Sequence, residues 1–359
     1  MAVVEYAAVL INAAVPFFTG DNIIDSLYIT FLSQIIGAGV VYVVLIPLTG
    51  VKHAEHRPVS IRSLRTTLLS LVASISFSFA VALALVTLFL SIGVSPQTGY
   101  GGVLYLEPRH LSNVMNIVIF YAVGSLGAPL YEELLYRRLP IPLMEARGAS
   151  PMTAIVVSTV MFGMVHLPLD LFNGNVAGAV THFASVAATG LFLGFIYVVT
   201  RNVFFSMLVH GIVNGMSFTI TVGGVSPTLV NLQIAALLVY LALAALGLVV
   251  IIRAWGQYRR QPPVRWVQIV NRKGPSCTRR GSAWLLVLFA IVLAAQLLIE
   301  LAAVLGTAHI SRIASVGAGL AVNAIVLLTA IILTTRTEVV HPPVSESQEP
   351  VTDEGPALV

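Results

Sequence analysis

Two adjacent carboxylates, Glu132 and Glu133, are followed four residues later by the guanidinium of Arg137. Further on come His166, His182 and then His210 with Asn214, each set in a long apolar run. A carboxylate and a neutral imidazole that converge on one water make a general base. A second imidazole and a carboxamide can donate hydrogen bonds to a developing oxyanion. That set suffices to hydrolyse an amide. A Glu with two His is also a sensible ligand set for a catalytic zinc with one open position, here Glu132, His166 and His210. Residue types and spacing leave both chemistries open.

The spacings say how these groups would face. Glu133 and Arg137 are i,i+4, so on a helix they share a face and can pair, while Glu132 points about 100° away. Phe162 and His166 are i,i+4, as are His210 and Asn214. Phe162 is expected to pack and to orient His166. The midpoint between Glu133 and His166 falls in Gly148-Ala149-Ser150-Pro151, a strong turn signal. An antiparallel hairpin of 112–148 with 151–167 therefore brings Glu132 and Glu133 level with His166. His210, a little over two turns past Asn202, would sit at a similar height, about 10–12 Å from the nearer membrane face. Pro140 and Pro142 should kink the first arm.

The elements that must hold these groups are set by composition. Apolar residues make up 57% of the 359 and charged ones 9%, against about 25% charged in a soluble domain. That excludes a water-soluble enzyme and predicts an all-α, polytopic membrane protein in the lipid bilayer. Nine spans are expected near 27–48, 67–93, 112–136, 152–167, 178–200, 203–222, 227–253, 283–307 and 312–334. Residues 2–19, broken by Pro16 and Gly20, are a weaker candidate. The chain divides into an N-terminal transmembrane region (1–110), a core carrying the polar groups (111–222), C-terminal helices with a basic loop at 254–282 (223–334), and a disordered tail (335–359). The start lacks a basic stretch, so no cleavable signal peptide is expected. With one cysteine, Cys277, disulfides and multi-cysteine metal sites have no place.

Of the 19 Lys and Arg residues, all but Arg109 and Arg312 fall on one side of this nine-span arrangement. The side rich in bases is the cytoplasmic one, and it includes 51–66, 138–150, Arg201-Asn202 and 254–282. The basic excess is thus a matter of topology and does not point to nucleic acid. The 254–282 loop reads first as a topology anchor and second as a patch for anionic headgroups. Polar groups on four consecutive spans are functional candidates by default, since ionisable side chains in lipid are costly. His182 fits no spacing pattern and reads as a packing or cavity-lining residue. Gly178, Gly190 and Gly194 read as points of close helix contact.

Three motifs carry a resemblance. Glu132-Glu133-Leu-Leu-Tyr-Arg137 has the form E-E-x-x-x-R, Phe162-Gly-Met-Val-His166 the form F-x-x-x-H, and His210-Gly-Ile-Val-Asn214 the form H-x-x-x-N. In this order, on successive membrane helices, the segment 112–217 resembles the intramembrane proteases of the CAAX-protease and bacteriocin-processing family. H-E-x-x-H, G-x-S-G and G-x-G-D, the marks of other intramembrane proteases, do not occur. The resemblance implies that Glu132 and His166 activate water and that His210 and Asn214 steady the oxyanion. Glu133 and Arg137 would be the supporting pair. It implies a membrane-bound or lipidated protein or peptide as substrate, cut near the cytoplasmic face, and leaves open a metal or a metal-free glutamate mechanism. Eukaryotic members trim prenylated proteins, and some prokaryotic ones are linked to bacteriocin processing or immunity. Two other functions use the same polar groups: a non-catalytic binding or immunity protein, and an ion-coupled transporter. The lack of internal repeats counts against the transporter.

Overall fold

Helix makes up all the regular structure in residues 22–48, 60–95, 108–146, 149–164, 166, 176–225 and 230–260, the residues described by this computed structural model. Helix α1 (Asn22–Val40) continues through a π turn, Val41–Leu45, into Ile46–Leu48. Helix α2 covers Ile61–Ser91. A tight turn, Pro108–Ser112, leads into a long composite span. Its parts are α3 (Val114–Tyr121), a π turn (Ala122–Gly127), α4 (Ala128–Glu133), a second π turn (Leu134–Arg138) and α5 (Pro140–Ala146). Then follow α6 (Pro151–Met164), α7 (Val176–Thr200), α8 (Val203–Val225) and α9 (Val230–Arg260).

Local sequence explains where several helices begin. Ser60 forms a reciprocal capping box with Ser63 at the start of α2. Asn113 Oδ1 accepts from Met115 N at 2.9 Å, Ser150 Oγ from Thr153 N at 3.1 Å and Asn202 Oδ1 from Phe204 N at 3.0 Å. These bonds satisfy amides that the first turn leaves open. Proline opens both α5 and α6, where its missing N–H costs nothing.

Five helical stretches are long and apolar enough to cross a membrane: Ser63–Ser91, Val114–Glu145, Val176–Thr200, Val203–Ile220 and Val230–Ala254. Thr30–Leu45 and Pro151–Met164 are shorter apolar helices. Each of the first seven expected spans thus coincides with a helix. The eighth and ninth, the candidate at 2–19, most of the basic loop and the tail lie outside the described residues. Two boundaries differ from expectation. The third span runs on to Ala146, because its π turns and the restart at Pro140 absorb the kink without ending the span. The fourth stops at Met164, so His166 lies just past the helix, its backbone N donating to Gly163 O at 3.1 Å.

The core is a set of helix–helix contacts that fix α7 and α8. Leu71 and Ile75 of α2, Leu193 and Ile196 of α7, Phe205 and Val209 of α8 and Ala244 of α9 form one buried cluster. Ile141 of α5 packs with Ala154 and Ile155 of α6 and Tyr197 and Val198 of α7. Ala38, Val41 and Ile46 of the first span bury Leu134, Leu139 and Leu143. Outward, α9 leaves Leu232, Ile234, Leu238, Val239, Leu248 and Ile252 exposed, as a surface against hydrocarbon requires. The turn between α7 and α8 is two residues long. Arg201 takes a left-handed backbone there (φ 51°), and its guanidinium donates to both oxygens of Glu145 at 2.6 and 2.8 Å. This bidentate pair ties the end of α5 to the start of α8.

Candidate active site

Glu132 and Glu133 sit between the two π turns of the composite span, and both are buried. A π turn spreads the helix and loosens the regular carbonyl ladder. One carbonyl in the first π turn, Gly124 O, accepts instead from Asn214 Nδ2 of α8 at 2.9 Å. Close approach makes this possible. A Cβ on Gly211, the residue after His210, would lie 2.5 Å from the backbone oxygen of Ser125.

Glu133 is the centre of the arrangement. Its Oε1 accepts from His210 Nδ1 at 2.9 Å and lies 3.1 Å from Arg137 Nη1. Burial of a charge is tolerated only with such partners. The i,i+4 pairing of Glu133 with Arg137 read from spacing is present. Its second partnership, with a histidine on another helix, is one that spacing could not disclose. Glu132 Oε2 lies 3.6 Å from His210 Nε2. The imidazole of His210 is therefore held between the two adjacent carboxylates.

Arg137 is fully buried and turned toward α6 and α7. Its Cζ stands 4.1 Å over the Phe162 ring, a cation–π contact, and its Nη2 reaches Gly190 O at 3.5 Å. Gly190 leaves just enough room. A Cβ there would come 3.1 Å from Phe162 Cδ1 and 3.2 Å from Arg137 Nη2. Arg137 and Phe162 are equally far in sequence from the Ala149–Ser150 boundary, as the hairpin requires. Ser158 Oγ donates to Tyr136 O and joins the same two arms.

Phe162 is in ring contact with both motif histidines. His166 is edge-on to it at 5.0 Å between centroids, and His210 at 5.5 Å. His166 Nδ1 bonds Phe162 O at 2.8 Å. A carbonyl only accepts, so Nδ1 carries the hydrogen, and a neutral ring then presents Nε2 as its basic nitrogen. Among the described residues His166 makes no ion pair with a carboxylate. Its cross-helix neighbour is His182 of α7, with centroids 5.6 Å apart. The hairpin thus brings all the motif residues into one region, and Glu132 faces His210 there.

The set Glu132, His166 and His210 was expected to be able to hold zinc. Among the described residues no group of three or more His, Cys, Asp or Glu is arranged to hold a metal ion. His210 Nδ1 is engaged with Glu133, and its Nε2 faces Glu132 Oε2 at 3.6 Å. Beyond the motifs, Gly124, Gly190 and His182 also belong to the region. Gly190 was legible as a close-packing residue, whereas only the packed structure identifies Gly124 O as the partner of Asn214.

Residues 114–216 match the Rce1-like family of type II CAAX prenyl endopeptidases. The matched stretch, which holds all three motifs, is thus similar to CAAX-type intramembrane proteases, and the chain is an integral membrane protein. A curated relative, the probable CAAX prenyl protease 2 of Schizosaccharomyces pombe, is 28% identical over 156 residues, or 41% of this chain. The chain spans 55% of the length of that relative. No solved structure matches the chain.

Proposed function

We propose that the protein is an intramembrane endopeptidase that hydrolyses a peptide bond in a membrane-bound or lipidated protein, with a prenylated protein as the substrate class. The observation that carries this reading is the placement of His210 between Glu132 and Glu133, with His166 edge-on to the same phenylalanine. Glu132 and the Nε2 of His166 draw a proton from water, and its oxygen attacks the scissile carbonyl carbon. The carbonyl π electrons move to oxygen, and Asn214 together with a His210 that carries hydrogen on both ring nitrogens, Nδ1–H to Glu133 and Nε2–H toward the substrate, donates hydrogen bonds to that oxyanion. As the C–N bond breaks, the abstracted proton passes to the leaving amine. Glu133 and Arg137 touch no substrate atom in this scheme, and Glu133 orients His210 through Nδ1.

The substrate class follows from the name of the yeast relative and from the Rce1-like match. The base-rich loops support a site near the cytoplasmic face. Comparative membrane proteomics of cells carrying Glu132→Ala against wild type tests the reading. A lipidated precursor that keeps its C-terminal residues in the mutant is the expected result. Identical membrane proteomes would overturn it.

A further inference from the structure

His182 lies in none of the three motifs, yet α7 brings it against His166. His166 stands beyond the end of α6 at Met164, so regular helix does not fix its ring. Two of its restraints come from its own helix end: the bond from Nδ1 to Phe162 O at 2.8 Å and the Phe162 ring at 5.0 Å. The third is His182, edge-on at 83° with centroids 5.6 Å apart. Among the described residues it is the one ring contact to His166 from another helix. The same helix places Gly190 against Phe162 and Arg137 about two turns later, so α7 clamps both ends of the Phe162–His166 unit.

We propose that His182 is a positioning residue, whose flat ring holds the His166 imidazole with Nε2 facing the reacting water. The inference rests on the proposed peptidase reading for its consequence and on geometry alone for the contact. A small displacement of a catalytic group is enough to slow chemistry by up to about 100-fold without weakening substrate binding.

The test compares His182→Ala and His182→Phe in the full-length protein, purified in detergent and selectively 15N-labelled at histidine. His182→Ala should shift the His166 ring signals and lower kcat about tenfold at unchanged KM. His182→Phe keeps a flat edge without the nitrogens, and should restore both the signals and kcat to within about twofold of wild type. Thermal melts of the two variants should coincide with wild type. Unmoved His166 signals in His182→Ala would overturn the proposal. So would a folded His182→Phe protein no better than His182→Ala, since a nitrogen would then be the active feature. If wild type cleaves nothing but the His166 signals respond as described, the peptidase reading fails while the positioning contact stands.

Discussion

The Oε1 atom of Glu133 accepts from His210 Nδ1 at 2.9 Å, across a sequence separation of 77 residues. The same oxygen lies 3.1 Å from Arg137 Nη1, one turn along its own helix. One buried carboxylate therefore both neutralises an arginine and aims an imidazole. Glu132, its neighbour in sequence, is turned to the other ring nitrogen of His210 at 3.6 Å. Adjacent carboxylates thus take different tasks, and mutation should separate them.

Glu133→Gln should cost stability and activity together. Removing one partner from a buried ion pair costs about 3–5 kcal/mol. The melting temperature in detergent should fall clearly, with kcat reduced because a neutral amide oxygen holds His210 more weakly than the carboxylate does. Glu132→Gln should instead melt like wild type and be inactive. Equal melting of both variants would contradict this division.

Asn214→Ala removes the proposed oxyanion donor and the bond to Gly124 O. Loss of one such donor costs about 10²–10³ in kcat. The expected pattern in steady-state cleavage of a lipidated peptide is a fall in kcat with little change in KM. A rise in KM alone would show that Asn214 only binds substrate.

Three glycines make a graded series. Gly211→Ala would place a methyl 2.5 Å from a backbone oxygen, which cannot move aside as a side chain does. Gly190→Ala presses at 3.1 Å on Phe162, a ring with some freedom to adjust. Overpacking of this kind costs about 1–3 kcal/mol. Gly39→Ala meets nothing within 4 Å and should be neutral or stabilise α1 by about 0.5–1 kcal/mol. Thermal melts should therefore rank the variants Gly39→Ala, Gly190→Ala, Gly211→Ala, from most to least stable.

The proposed activation of water by Glu132 and His166 uses no metal. On that scheme, dialysis of the active protein against a strong chelator should leave its turnover within about twofold of untreated enzyme. Loss of activity restored by zinc alone would contradict metal-free activation.

Much of this site was legible before any fold was known. The Glu133–Arg137 pair follows from helical spacing, and the hairpin in which Phe162 meets Arg137 follows from the turn signal at 148–151, although that contact itself was not expected. Five membrane-length helices and two shorter apolar ones, all at expected places, follow from apolar run length, since hydrocarbon leaves a chain little choice but helix. The contact of His210 with Glu133 was not legible, because rotation of one helix against another depends on packing across the whole bundle. The π turns flanking Glu132 and Glu133 have no signature in residue spacing, and without them Gly124 O would not be identified as the acceptor for Asn214. The Glu145–Arg201 pair was missed for a similar reason: it joins a helix end to a turn that sequence separates by 56 residues.

In the proposed reaction Glu132 and His166 activate water beside His210. Its most direct test is cleavage of a fluorogenic, C-terminally lipidated peptide by purified protein in liposomes, wild type against Glu132→Ala. The prediction is steady turnover by wild type and none above background by a normally folded Glu132→Ala protein. Undiminished cleavage by that variant would contradict it.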